Sequence, residues 1–348
     1  MKKIIIFGTI GIVVIIAILF GVTQSTSPNK SGVFSREKIE VSPTPGPYDM
    51  LTIPYLRDRE YSSSLSELEQ IASNGTYSSY LTSYDSDGLN INALLTIPQR
   101  EAPTEGWPAI VFVHGYIPPT QYQTTEKYTA YVDYLAKSGY VVFKIDLRGH
   151  GSSDGRATGA YYSSDYIVDT LNARAALQSS DFVNADAIGL WGHSMAGNVV
   201  LRSIVSAKDI PVAVIWAGAV YTYEDLQIYR LNDSSYQRSP VPSEHGNNRQ
   251  ELYDAHGDFD PNNSFWKQVI PTNYLDGVTS ALQLHHSSGD PVVNIEYSRN
   301  LVSVLKNSPM TYELFEYPSD DHNIEAPHFN TAMERTVKFF DEYLKITP

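Results

Sequence analysis

Residues 187–197 read Ala187-Ile188-Gly189-Leu190-Trp191-Gly192-His193-Ser194-Met195-Ala196-Gly197, and the fold follows from this stretch. Its first five residues are a short, continuous apolar run, the pattern of a strand covered on both faces. From Met195 a helical pattern runs to residue 206. A strand that turns straight into a helix at a serine leaves the hydroxyl projecting past the sheet edge. Strand and helix then pass so close that Gly192 and Ala196 must be small. The helix start behind Ser194 supplies free N–H groups and a partial positive charge, which suit a developing oxyanion. Taken alone, the motif equally describes a helix capped by Ser194.

Outward from it, strands and helices alternate. Two extended runs, 77–84 and 89–97, flank Asp85-Ser86-Asp87-Gly88 and predict an antiparallel hairpin. Further strands are predicted over 109–113, 140–145, 212–216, 281–284 and 311–317, and helices over 128–138, 166–177, 296–305 and 331–344. Strand–helix–strand order repeated in this way predicts an α/β fold, a mostly parallel eight-stranded sheet with helices on both faces. Residues 221–270 break the rhythm. Rich in Asn, Asp, Ser, Tyr and Gln and without a strong period, they read as a lid insertion. Their aromatics (Tyr221, Tyr223, Tyr229, Tyr236, Tyr253, Phe259, Phe265 and Trp266) either line a pocket or pack the lid onto the body.

A serine hydroxyl becomes nucleophilic when a base lies within hydrogen-bond reach and an acid orients that base. Strand 281–284 runs into His285-His286-Ser287-Ser288-Gly289-Asp290-Pro291-Val292, and strand 311–317 into Pro318-Ser319-Asp320-Asp321-His322-Asn323. Upstream, 109–113 leads into His114-Gly115-Tyr116, and 140–145 into Asp146-Leu147-Arg148-Gly149-His150-Gly151. The order Ser194, Asp290, His322, each after a predicted strand, is the Ser…Asp…His order of the α/β-hydrolase fold.

On these motifs the chain resembles the α/β-hydrolase superfamily and, within it, the stand-alone catalytic domain of the prolyl oligopeptidase family; the resemblance covers about residues 76–345. It implies that Ser194 is the nucleophile, His322 the general base and then acid, and Asp290 the carboxylate that orients the imidazole. It also implies an oxyanion hole from the N–H groups of Tyr116 and Met195, with the Tyr116 hydroxyl as a further donor. His114, Gly115, Gly192, His193 and Gly197 shape the elbow and the oxyanion turn. Two departures matter: Ala196 stands where the elbow usually has Gly, and the stretch before the first strand is too short for the family's amino-terminal β-propeller. Without a propeller, an esterase is nearly as well supported as a peptidase. No two-Glu motif supports Glu224 or Glu251 as a site for a substrate amino group. The implied substrate is a small ester or peptide, and no cofactor is implied. A non-catalytic binding domain on the same fold is the alternative.

Other motifs carry less. The turn at 146–151 lacks the Gly-Lys-Ser/Thr of a phosphate loop, so Arg148 reads as a structural hydrogen-bonder. Adjacent strand residues point to opposite faces, so His285 and His286 do not readily share a metal ion. Asp258-Phe259-Asp260-Pro261-Asn262-Asn263 lacks the sixth-position Gly and twelfth-position Glu of a calcium loop and reads as a turn. Asp320 and Asp321 are second-choice acids, too near His322 in sequence.

Composition narrows the partners. The 348 residues hold 25 Lys and Arg against 39 Asp and Glu, a formal charge of −14 that disfavours nucleic acid. With no cysteine there is no disulfide, thiolate metal site or cysteine nucleophile. Lys2 and Lys3 precede an uncharged apolar run over residues 4–22, long enough to approach a bilayer's ~30 Å core. Residues 1–22 therefore read as a transmembrane signal-anchor that exports residues 58–348, with 23–57 as a Ser/Thr/Pro-rich tether. A cleaved signal peptide and a secreted body is the competing reading; the length of the run and the lack of an A-x-A site speak against it.

Overall fold

The computed structural model describes residues 48–345, apart from 235 and 237–243. Residues 1–22, and most of the stretch read as a tether, lie outside the described residues. Within them the strands are β1 (Glu69–Ser73), β2 (Tyr77–Ser86), β3 (Leu89–Pro98), β4 (Trp107–Val113), β5 (Val141–Ile145), β6 (Val183–His193), β7 (Val212–Trp216), β8 (Ala281–Ser287) and β9 (Tyr312–Tyr317). The helices are α1 (Ile53–Asp58), α2 (Thr129–Lys137), α3 (Asp165–Gln178), α4 (Ala196–Ser206), α5 (Tyr223–Tyr229), α6 (Glu244–His256), α7 (Ser264–Val269), α8 (Glu296–Leu305) and α9 (Phe329–Leu344).

The strands form one sheet in the order β1-β2-β3-β5-β4-β6-β7-β8-β9. From β5 to β9 every pairing is parallel, while β1 to β3 join antiparallel. The sheet thus has nine strands where eight were predicted. The extra one is β1, whose five residues are all exposed and carry no apolar alternation. The β2–β3 hairpin closes through Asp87 and Gly88, both at positive φ (55° and 80°), as a two-residue type I′ turn requires.

β4 and β7 are apolar throughout because both faces are covered. Along β4, Ala109, Val111 and Val113 join one core, which includes residues of α3 and α4, while Ile110 and Phe112 join another with residues of α2 and α9. This alternation is the period of two expressed inside a doubly covered sheet. Among the described residues of 221–270 lie three helices, α5, α6 and α7. The last residues of the predicted tether also belong to the body. Leu51, Ile53 and Leu56 are buried, and Arg57 donates to the carbonyls of Val205 and Tyr274. Among the described residues no helix is long and apolar enough to cross a membrane.

Candidate active site

Three parallel strands deliver the three predicted residues to one end of the sheet. Ser194 follows β6, Asp290 lies just past β8 and His322 past β9. Ser194 holds a left-handed backbone (φ 55°), which costs a non-glycine residue ~1–2 kcal/mol. Its N–H donates to the Trp216 carbonyl at 2.9 Å, and its carbonyl accepts from Gly197 (2.8 Å) and Ala219 (3.0 Å). The end of β7 therefore pins the turn. Small residues are mandatory there: a Cβ on Gly197 would lie 2.6 Å from Gly218 Cα, and one on Gly192 would lie 3.1 Å from Ala196 Cβ. Met195 opens α4, whose first amides have no partner within the helix.

Asp290 Oδ2 accepts from His322 Nδ1 at 2.7 Å, and Oδ1 from the N–H groups of Val292 (2.8 Å) and Val293 (3.0 Å). Burial acts to raise this carboxyl, but its hydrogen bonds with His286 and His322 hold it well below the usual carboxylate range. An ionised carboxylate only accepts, so His322 carries its proton on Nδ1 and leaves the Nε2 lone pair free to act as a base. His286 supports the carboxylate from behind: its Nε2 is 2.9 Å from the Val293 carbonyl and 3.4 Å from Asp290 Oδ2. Asp321 instead accepts from the backbone of Asn323 and Glu325, and the second-choice acids do not partner the imidazole.

Ser194 and His322 line one cavity of about 720 Å³, with Gly115 and Tyr116 from the turn after β4 and Tyr236 from the insertion. Tyr116, 42% exposed, meets Tyr236 edge to face at 6.1 Å. Of the insertion's aromatics named from sequence, Tyr236 alone lines this cavity. Tyr223, Phe259, Phe265 and Trp266 pack with Leu51 and Leu252 in a separate cluster, which Tyr253 flanks, and Tyr221 belongs to the main core. Tyr223 on α5 and Phe265 and Trp266 on α7 pack inward because their apolar rings would otherwise meet water.

The remaining candidates resolve into structure. His285 bonds Tyr317 and Gln283, while His286 bonds Ser298 and Val293 on the opposite side. No group of three metal-binding side chains occurs among the described residues. Asn263 caps α7 and Asp260 closes the turn before it. Arg148 forks onto the buried carboxylate of Asp169 at 2.7 and 3.0 Å. Sequence reasoning missed Tyr128, which bonds both Gly115 and His193. It precedes α2 with φ 55° and carried no local signal beyond its place in the helical pattern.

Comparison with known proteins agrees with this geometry. Residues 107–240 match the family described as serine aminopeptidase, S33. Mouse dipeptidyl peptidase 8 is 26% identical over 250 residues, covering 69% of this chain and 26% of that protein. The chain thus spans about a quarter of the length of the dipeptidyl peptidases it matches. Dipeptidyl peptidase 4 from Porphyromonas gingivalis superposes with a TM-score of 0.60 at 21% identity, over 77% of this chain and 36% of that one. Acetyl xylan esterase 1 from a Thermoanaerobacterium species gives 0.57 at 16% identity, over 82% of this chain and 90% of that one. Sheet order, strand-end positions and these likenesses agree on one fold, that of the α/β-hydrolases.

Proposed function

We propose that the protein cleaves a peptide or ester bond through an acyl-enzyme, with Ser194 as nucleophile, His322 as general base and acid, and Asp290 as the orienting carboxylate. The observation that carries this reading is the 2.7 Å contact between His322 Nδ1 and an enclosed Asp290, in a chain whose strained Ser194 opens onto the same cavity as His322. Ser194 Oγ attacks the substrate carbonyl as His322 Nε2 takes its proton. The N–H groups of Met195 and Tyr116 hold the oxyanion, and the imidazolium returns the proton to the leaving group. Water, deprotonated by the same imidazole, then releases the acid.

A prolyl oligopeptidase-like peptidase is favoured, supported by the match to a serine aminopeptidase family and to dipeptidyl peptidases. A carboxylesterase is the second reading, supported by the acetyl xylan esterase, nearly all of which this chain spans. The apolar run over residues 4–22 supports a membrane-anchored, extracytoplasmic enzyme. Ser194→Ala is expected to abolish both p-nitrophenyl ester turnover and labelling by a fluorophosphonate probe; undiminished labelling would remove Ser194 from the role. A panel comparing kcat/KM for proline amides with short-chain esters separates the two readings.

A further inference from the structure

The elbow histidine is buried, yet both its ring nitrogens are engaged. His193 Nδ1 lies 2.8 Å from the Tyr128 hydroxyl, and His193 Nε2 lies 3.1 Å from the backbone carbonyl of His322. Tyr128 Oη in turn accepts the Gly115 N–H at 2.9 Å. Burial drives the His193 imidazole down to about 3 and raises the Tyr128 phenol, so both groups are neutral at ordinary pH. The direction of every bond is then fixed. A carbonyl only accepts, so Nε2 carries the ring's proton and donates it to His322. Nδ1 must accept, so the phenol donates to it, and the phenol oxygen is left to receive Gly115 N–H. Each donor and acceptor is used once. The packing leaves no slack: a Cβ on Gly115 would lie 2.7 Å from Tyr128 Oη and 3.0 Å from His193 Nδ1.

These bonds join three separate strand ends: the turn after β4, the elbow after β6 and the loop after β9. The Gly115 carbonyl also lies 2.7 Å from His114 Nδ1, while His114 Nε2 lies 2.9 Å from the Asp146 carbonyl, so the single proton of the neutral ring serves one of the two carbonyls at a time. In a trans peptide the N–H points opposite the carbonyl. With the Gly115 oxygen beside His114, the Tyr116 N–H points away from that ring.

From this geometry we infer that His193 and Tyr128 are positioning residues that lock the oxyanion turn and the backbone of His322 to the elbow as one unit. The inference rests on the proposed roles of Ser194, His322 and Tyr116, and neither positioning residue touches substrate. It accounts for a polar histidine at an otherwise apolar strand end.

The test uses three substitutions: Tyr128→Phe cuts the two links that meet at the phenol oxygen, and each His193 variant cuts one. Tyr128→Phe removes only the hydroxyl. His193→Asn keeps an acceptor near the Nδ1 position but loses the bond to His322. His193→Gln keeps a donor near the Nε2 position but loses the acceptor for Tyr128. Each is expected to lower kcat about 10- to 100-fold, the cost of small misalignment at a reacting centre, while KM stays within about threefold. Because the links act in series, Tyr128→Phe combined with His193→Asn should cost little more than the worse single variant. Thermal unfolding midpoints separate positioning from loss of fold. Wild-type kcat in Tyr128→Phe, or losses in the double variant that multiply in full, would overturn the inference. Ser194→Ala, measured alongside, distinguishes the two levels: if it keeps turnover, the nucleophile assignment fails, whereas an inactive Ser194→Ala beside a fully active Tyr128→Phe leaves that assignment standing and removes the positioning role.

Discussion

Asp290→Asn probes the proposed triad at the atom that sets the imidazole's proton. The native carboxylate divides its work: Oδ1 accepts two backbone N–H groups at 2.8 and 3.0 Å, and Oδ2 accepts His322 Nδ1–H at 2.7 Å. An amide offers one oxygen and one NH2. The two backbone donors claim the oxygen, so the NH2 faces the ring and favours the tautomer with its proton on Nε2, which cannot receive a proton from Ser194. Recovering the working tautomer means flipping the amide and unpairing both backbone donors. The side chain is fully enclosed, so water cannot replace those partners. At about 1–3 kcal/mol for each unpaired donor, the penalty is ~2–6 kcal/mol. That lowers kcat by roughly 30-fold to 10⁴-fold. KM should change little, because Asp290 touches no substrate. The assay is ester hydrolysis at neutral pH, with the unfolding midpoint as a control for fold. A folded variant whose kcat stays within threefold of wild type would refute the reasoning.

Two further outcomes concern stability. Asp169→Ala strands the Arg148 guanidinium, with Asp165 at 3.2 Å as its remaining ionic partner, so the loss should fall near the lower end for a broken buried pair, ~3 kcal/mol. Calorimetry should show the midpoint falling by about 6–12 °C; a fall under 2 °C would mean the pair contributes little. Asp146 is pushed up to about 6 by burial, against hydrogen bonds from Thr124 and Tyr122 and the nearby Lys144 ammonium. A carboxyl raised on folding binds its proton more tightly in the native state, so its contribution to stability declines as pH climbs from about 4 to about 6, by at most ~3 kcal/mol. Asp146→Asn should flatten that part of the stability–pH curve; parallel curves for variant and wild type over that range would contradict it.

The parts of the fold legible in sequence are those where burial writes a simple pattern. β4 and β7 are apolar throughout, and β5 apart from the buried Lys144, because both faces are covered, and α8 falls on the residues predicted from the sequence. β6 and β8 extend beyond their predicted ends because the added residues are polar, such as Asn184 and Asp186 in one and His285 and His286 in the other. α6 carries charges and amides around its circumference, and β1 exposes all five residues, so neither shows a period to read. At the site, the strand-end positions of Ser194, Asp290 and His322 were visible because chain order and motif agree. The bond between Tyr128 and His193 joins residues 65 apart and exists only after folding. The insertion's aromatics carried composition but not direction, since nothing local tells a ring that lines a cavity from one that packs beneath it.

The helix at 53–58 has a consequence for how the chain matures. Arg57 reaches the carbonyl of Tyr274, a partner 217 residues further along, and Arg202 reaches back to Leu51. At ~5–20 residues per second, synthesis leaves Leu51, Ile53 and Leu56 without their cover for ~10–40 s. During that interval an apolar segment waits in the open for a late-made dock, which makes it a natural handle for chaperones and the point where assembly of this body would first go astray.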